Sequence, residues 1–93
     1  MSSRVVHCRR KAFDVYIGRA NRRYNLPQSP YANPFKIGRD GNREECIEKY
    51  QKWLLDQPEL VERARIELFG KVLGCWCAPQ ACHGDVLVKI VEK

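Results

Sequence analysis

Acidic residues are scarce where this chain is most basic. Residues 1–43 hold only Asp14 and Asp40 against ten Lys and Arg, a local balance of +8, while residues 44–93 carry −2 of the overall +6. So uneven a balance points to an anionic partner met by the amino-terminal half. Long apolar runs are missing too, which excludes a secretory leader after Met1 and a bilayer-spanning helix; no membrane partner is expected. Internal repeats, low-complexity tracts, legible nucleic-acid modules and C-x₂-C knuckles are likewise absent. Five cysteines is an odd number. With Cys75 and Cys77 too close to be ordinary partners, they argue for free thiols in a reducing cytoplasm rather than a disulfide framework.

What is present suffices for one small core. Ninety-three residues, 44% of them hydrophobic, with two tryptophans, exclude a disordered chain and leave no room for a second domain. Val5-Val6-His7-Cys8 reads as a first strand and Asp14 to Arg19 as a second, ended by Gly18. Residues 20–42 are dominated by turn formers. A stretch that long without regular structure is more often functional than idle.

Asn42, with Glu45 three residues on, forms a capping-box pattern that opens a helix burying Cys46, Ile47, Tyr50, Trp53 and Leu54. Pro58 ends that helix and starts another, which runs to about Phe69 and buries Leu60, Val61, Ala64 and Leu68, with Gly70 as its stop. Lys71 to Trp76 is a third strand. Cys82 or His83 starts a last helix with Val86, Leu87, Ile90 and Val91 inward and Lys89 and Lys93 near its C-terminal end. The order β-β-loop-α-α-β-α predicts a small single-domain α/β fold over residues 1–93. It has a sheet of about three strands with at least one parallel pair, the last strand expected at its centre, packed by about three helices in two or three layers.

The densest chemistry lies between Cys75 and Gly84, where three cysteines and a histidine occupy a strand-turn-helix junction. Such a junction aims unpaired backbone N–H groups into the turn and suits anions, metals or nucleophiles. The favoured reading is non-covalent anion binding. Backbone N–H groups of His83, Gly84 and Asp85 would face a phosphate, with the His83 side chain donating to it. Arg19, Lys36 and Arg43 would reach into the same cleft. Asn33 would read a base or sugar edge, and Tyr31, Phe35 and Trp76 offer stacking faces. Each has a plainer role available: Trp76 in the core, Phe35 pinning the long loop, Asn33 in a turn, Asp85 as a helix cap.

A second reading makes Cys77 or Cys82 a nucleophile with His83 as acid/base, because a helix N-terminus and nearby cations lower a thiol's pKa. The Cys77-to-His83 spacing resembles the anion-cradling loop of cysteine-dependent phosphatases, except that this loop ends in histidine rather than arginine. Whether the chain is an enzyme stays open. No cofactor is required; zinc on Cys75, Cys77, Cys82 and His83 is the alternative, opposed by a spacing that spreads two ligands along a strand and sets two side by side. Arg22-Arg23-Tyr24 and Tyr31 mix cations with rings as single-strand binders do, so a nucleic-acid-binding domain is a third reading. Cys8 and Cys46 are expected to be buried small hydrophobes. His7 has no assigned place.

The motifs Tyr16-Ile17-Gly18-Arg19, Asn33-Pro34-Phe35, Ile37-Gly38, Arg43-Glu44, Gly74-Cys75-Trp76-Cys77 and Cys82-His83-Gly84-Asp85 span nearly the whole chain. Together they resemble a family of small bacteriophage and bacterial proteins, the domain of unknown function 4326 type. The resemblance implies a single compact domain, often virus-encoded and then acting in the host cytoplasm. It implies no reaction and no residue roles. The expected ligand, a nucleotide or other phosphorylated small molecule, rests on the residues alone.

Overall fold

A computed structural model describes residues 3–78 and 80–92. Pro79 in the thiol-rich turn and Lys93, expected near the end of the last helix, lie outside the described residues. Three short strands, β1 (Arg4–His7), β2 (Val15–Tyr16) and β3 (Val72–Cys75), form one sheet in the order β1-β3-β2, and both pairings are parallel. The last strand is therefore central, with its C-terminal end between those of its neighbours. Three helices are described, α1 (Arg43–Leu55), α2 (Pro58–Glu67) and α3 (His83–Val91); α2 stops short of the expected Phe69, with Leu60 only half-buried.

Local chemistry explains these bounds. Asn42 Oδ1 accepts from the Glu45 N–H at 2.9 Å while Glu45 Oε1 accepts from the Asn42 N–H at 3.0 Å, so two otherwise orphaned donors opening α1 are satisfied. Pro58 opens α2 at a position where no N–H is needed. Gly70, at φ 72°, turns the chain away after α2 in a conformation that a side chain would oppose. The expected second strand runs to Arg19, but only Val15 and Tyr16 stand in the ladder. After the Ile17 N–H bonds Gly74 O, the Ile17 carbonyl faces the His83 ring and the Gly18 carbonyl accepts from the Ser29 N–H.

Alternation along β3 sets the layers. Leu73 and Cys75 point into the helices and are buried with Ile17, Tyr50, Leu54, Leu68 and Leu87. Gly74 faces the other way beneath the Phe13 ring, where an added Cβ would lie 2.6 Å from Phe13 Cγ. Burial of Val86, Leu87, Ile90 and Val91 confirms the inward face of α3. Cys46 is buried as expected, whereas Cys8 is only half-buried. Within residues 20–42 the chain forms one 3₁₀ turn at Arg22–Tyr24, an Asn21–Leu26 bridge and a run of turns held by local polar contacts. Among the described residues, no helix is long and apolar enough to cross a membrane.

Candidate functional site

Parallel strands deliver their C-terminal ends to one edge of the sheet, and α3 begins there. The 20–42 loop folds over that edge and leaves a cavity of about 530 Å³. Its wall is built by Tyr16 at the end of β2 with Gly18 and Arg19, by Cys75 at the end of β3 with Trp76 and Cys77, by Ala81 to His83, by Asn33, by Phe35 to Ile37 and by Arg43. Of the residues expected to bind ligand, Arg19, Asn33, Lys36, Arg43 and His83 line this cavity; Gly84 and Asp85 do not.

The helix mouth is not the open anion cradle that the sequence suggested. Gly84 donates its N–H to Cys82 Sγ at 3.3 Å, the Asp85 N–H bonds Cys82 O at 3.0 Å, and Asp85 Oδ2 accepts from the Cys82 N–H at 3.1 Å. The first turn thus caps itself. Gly84 is glycine for packing: a Cβ there would meet Val5 Cγ2 at 2.8 Å and Ile17 Cδ1 at 2.9 Å. His83 is 7% exposed and its Nε2 donates to Ile17 O at 2.7 Å, so that nitrogen holds β2 to α3 rather than a phosphate. Tyr31, a supposed stacking face, is buried in the core with its hydroxyl donating to Glu67.

Cations supply what the helix mouth does not. Arg19 donates from Nε to Asn33 O at 3.0 Å and from Nη2 to Phe35 O at 2.9 Å, pinning the long loop. Arg43 donates from Nη1 to Ala81 O and from Nη2 to Gln80 Oε1, each at 2.9 Å, bridging the start of α1 to the turn before α3. These acceptors are neutral, so neither guanidinium is paired with a carboxylate; the group both draw toward its charged form is Cys77. Lys36 adds a third cation, and among the described residues no carboxylate belongs to the lining. Trp76 is half-buried and donates from Nε1 to Tyr16 Oη at 2.8 Å, while Tyr16 donates its hydroxyl to Arg19 O at 2.6 Å. Asn33 Oδ1 closes a turn onto the Phe35 N–H at 2.9 Å.

The three site thiols differ in environment. Cys75 is 1% exposed and its Sγ lies 3.2 Å from Cys82 Sγ, whereas Cys77 is half-buried in the cavity wall. A proton donated by the Cys82 thiol, with Arg43 and Arg19 nearby, lowers the Cys77 thiol to about 6. Cys75 is lowered by the same donor, and Cys82 itself is pushed up by its two sulfur neighbours and by burial. Cys82 has a single proton to give. Arg43 and Arg19 beside Cys77 favour the thiolate there. Among the described residues no group of three His, Cys, Asp or Glu side chains is disposed to hold a metal ion.

Comparison with known proteins agrees with the motif pattern, matching a family model over residues 3–93. The chain belongs to the Domain of unknown function family DUF4326. An uncharacterized protein of Acanthamoeba polyphaga mimivirus is 38% identical over 86% of this chain and 70% of its own length. An uncharacterized 12.4 kDa protein from the nrdA-td intergenic region of Enterobacteria phage T4 is 35% identical over 97% and 78%. No solved structure matches.

Several features of this DUF4326 site escaped the sequence. Tyr50 packs its ring edge-on to His83 at 5.0 Å, and His7 sits edge-on to Trp76 at 5.7 Å with its Nδ1 accepting from the Arg9 N–H. Nothing local in the sequence joins positions so far apart. Burial of His83 carries a pH prediction. Burial holds its pKa below the ordinary 6.5. As pH falls below that value the unfolded chain takes up the proton first, so stability present at neutral pH is lost through the window down to the folded pKa, with a slope of at most about 1.4 kcal/mol per pH unit. Urea midpoints measured from neutral to mildly acidic pH should fall, and His83→Gln should flatten that fall.

Proposed function

We propose that this DUF4326 domain binds a nucleotide or another phosphorylated small molecule in the cavity at the C-terminal edge of its sheet. One observation carries the reading: the lining holds Arg19, Lys36 and Arg43 and, among the described residues, no carboxylate. Three cations around a half-enclosed, partly apolar space favour a compact polyanion, because charge-assisted contacts there are screened less than on open surface. Trp76 and Phe35 supply a flat apolar wall for a base. The NH₂ end of Asn33, whose oxygen is already used, is the group offered to a base or sugar edge. Binding in this reading runs through side-chain cations rather than through the first turn of α3.

Calorimetric titration with the common mononucleotides, inorganic phosphate and a short single-stranded oligonucleotide tests the proposal. A mononucleotide should bind one-to-one, more tightly than phosphate, and weaken as salt is raised. Absence of binding by every mononucleotide and by phosphate would overturn it. An oligonucleotide whose affinity grows with length, with no mononucleotide competing, would replace it with nucleic-acid binding.

A further inference from the structure

Ligand binding as proposed leaves the thiols of the cavity wall without a task. Cys75 ends the central strand, Cys82 caps α3, and Cys77 stands in the turn between them, so the fold brings three sulfurs from eight consecutive positions to one place. Cys75 Sγ and Cys82 Sγ are 3.2 Å apart, about one ångström longer than the ~2.05 Å of a disulfide bond. Cys77, two residues beyond Cys75, lines the same cavity wall as this pair. Of the three, Cys75 and Cys82 are buried and Cys77 is half-buried in the cavity wall. The order is that of an attacking, a resolving and a storing thiol.

We propose that Cys77, Cys82 and Cys75 form a thiol–disulfide relay that reduces a hydroperoxide entering the cavity. The Cys77 thiolate attacks the peroxide: an S–O bond forms, the O–O bond breaks, and the leaving hydroxide or alkoxide takes up a proton from solvent. Cys77 is thereby oxidised by two electrons to a sulfenic acid and the peroxide is reduced. Cys82 sulfur then attacks Cys77 sulfur. An S–S bond forms, the S–O bond breaks, and the departing hydroxide leaves as water with the Cys82 proton. Cys75, in contact with Cys82, next attacks Cys82 sulfur; a new S–S bond forms, the Cys77–Cys82 bond breaks, and the Cys75 proton goes to the departing Cys77 sulfur, leaving the disulfide between Cys75 and Cys82. A low-molecular-weight dithiol returns the pair to two thiols and is itself oxidised to a disulfide. The arginine beside Cys77 favours the thiolate that starts the sequence.

The relay is read from ligand-free protein, so its failure and that of nucleotide binding are separate results. Fully reduced protein is treated with one equivalent of hydrogen peroxide at neutral pH, alkylated under denaturing conditions and mapped by peptide mass spectrometry. One disulfide is expected, between Cys75 and Cys82, with Cys8, Cys46 and Cys77 still alkylated; a disulfide left between Cys77 and Cys82 would overturn the last step. Cys82→Ser, in which serine remains a competent helix cap, should stop the reaction at a Cys77 sulfenic acid trapped by dimedone. Cys77→Ser should slow disulfide formation by roughly tenfold or more. Five alkylated thiols after oxidation of the unaltered protein would overturn the relay. So would a disulfide through Cys8 or an undiminished rate in Cys77→Ser.

Discussion

Arg43→Met is expected to weaken mononucleotide binding by about 10- to 100-fold while leaving the domain folded. Its guanidinium makes two hydrogen bonds to neutral oxygens of the turn at Gln80 and Ala81 and still carries its charge into the cavity. Methionine keeps an apolar stem of similar reach and removes only the donors and the charge. Loss of a charge-assisted contact to a phosphate costs about 1.5–3 kcal/mol, which sets the expected factor. Calorimetry at low and high salt supplies the check, because the deficit should shrink as salt screens the native charge.

A second readout ties that variant to the thiols. Arg43 contributes to the lowered Cys77 pKa, after the proton donated by Cys82. With the charge gone, the pH profile for alkylation of Cys77 by iodoacetamide should move to higher pH. An unchanged affinity together with a shifted profile would place Arg43 beside Cys77 but away from the ligand, and the binding proposal would then fail at this residue.

The elements that local chemistry dictates were legible in the chain. Asn42 with Glu45 fixes the start of α1, Pro58 the start of α2, Gly70 its exit, and the 3.6-residue spacing of Val86, Leu87, Ile90 and Val91 the inward face of α3. These signals act over a few residues. The location of the cavity was legible as well, because strand C-termini and a helix N-terminus meet at one edge of a parallel sheet. How the polar groups there are spent was not. Cys82 and Asp85 close the first turn of α3, and the His83 ring takes a carbonyl 66 positions away in sequence. A helix opening looks the same in sequence whether its donors face solvent or its own cap. Tyr31 shows the same limit: an exposed-looking aromatic in a turn-rich loop is in fact the residue that anchors that loop in the core.

That anchoring sets the largest expected loss of stability, at Tyr50. Its side chain is 0% exposed, its hydroxyl donates to Tyr31 O at 2.7 Å, and its ring lies against both His83 and Trp53. Burial raises the pKa of the hydroxyl, so it remains a neutral donor. Tyr50→Ala should destabilise the domain by about 3–5 kcal/mol through lost burial and the cavity left behind. A domain of this size holds roughly 5–15 kcal/mol in total, so that loss removes a large share of its stability. Tyr50→Phe keeps the ring and loses one donor, leaving the Tyr31 carbonyl unpaired at a cost of about 1–3 kcal/mol. Urea unfolding should rank the unaltered protein above Tyr50→Phe and Tyr50→Ala last. The consequence for function follows from position: Tyr50 joins α1 to the loop at Tyr31 and to α3 at His83, two of the segments that enclose the cavity. Ligand affinity in Tyr50→Phe should therefore fall even though the hydroxyl does not line the site, and affinity retained in full would show that the loop's other ties, through Arg19, Ser29 and the Tyr31 hydroxyl, suffice to hold it.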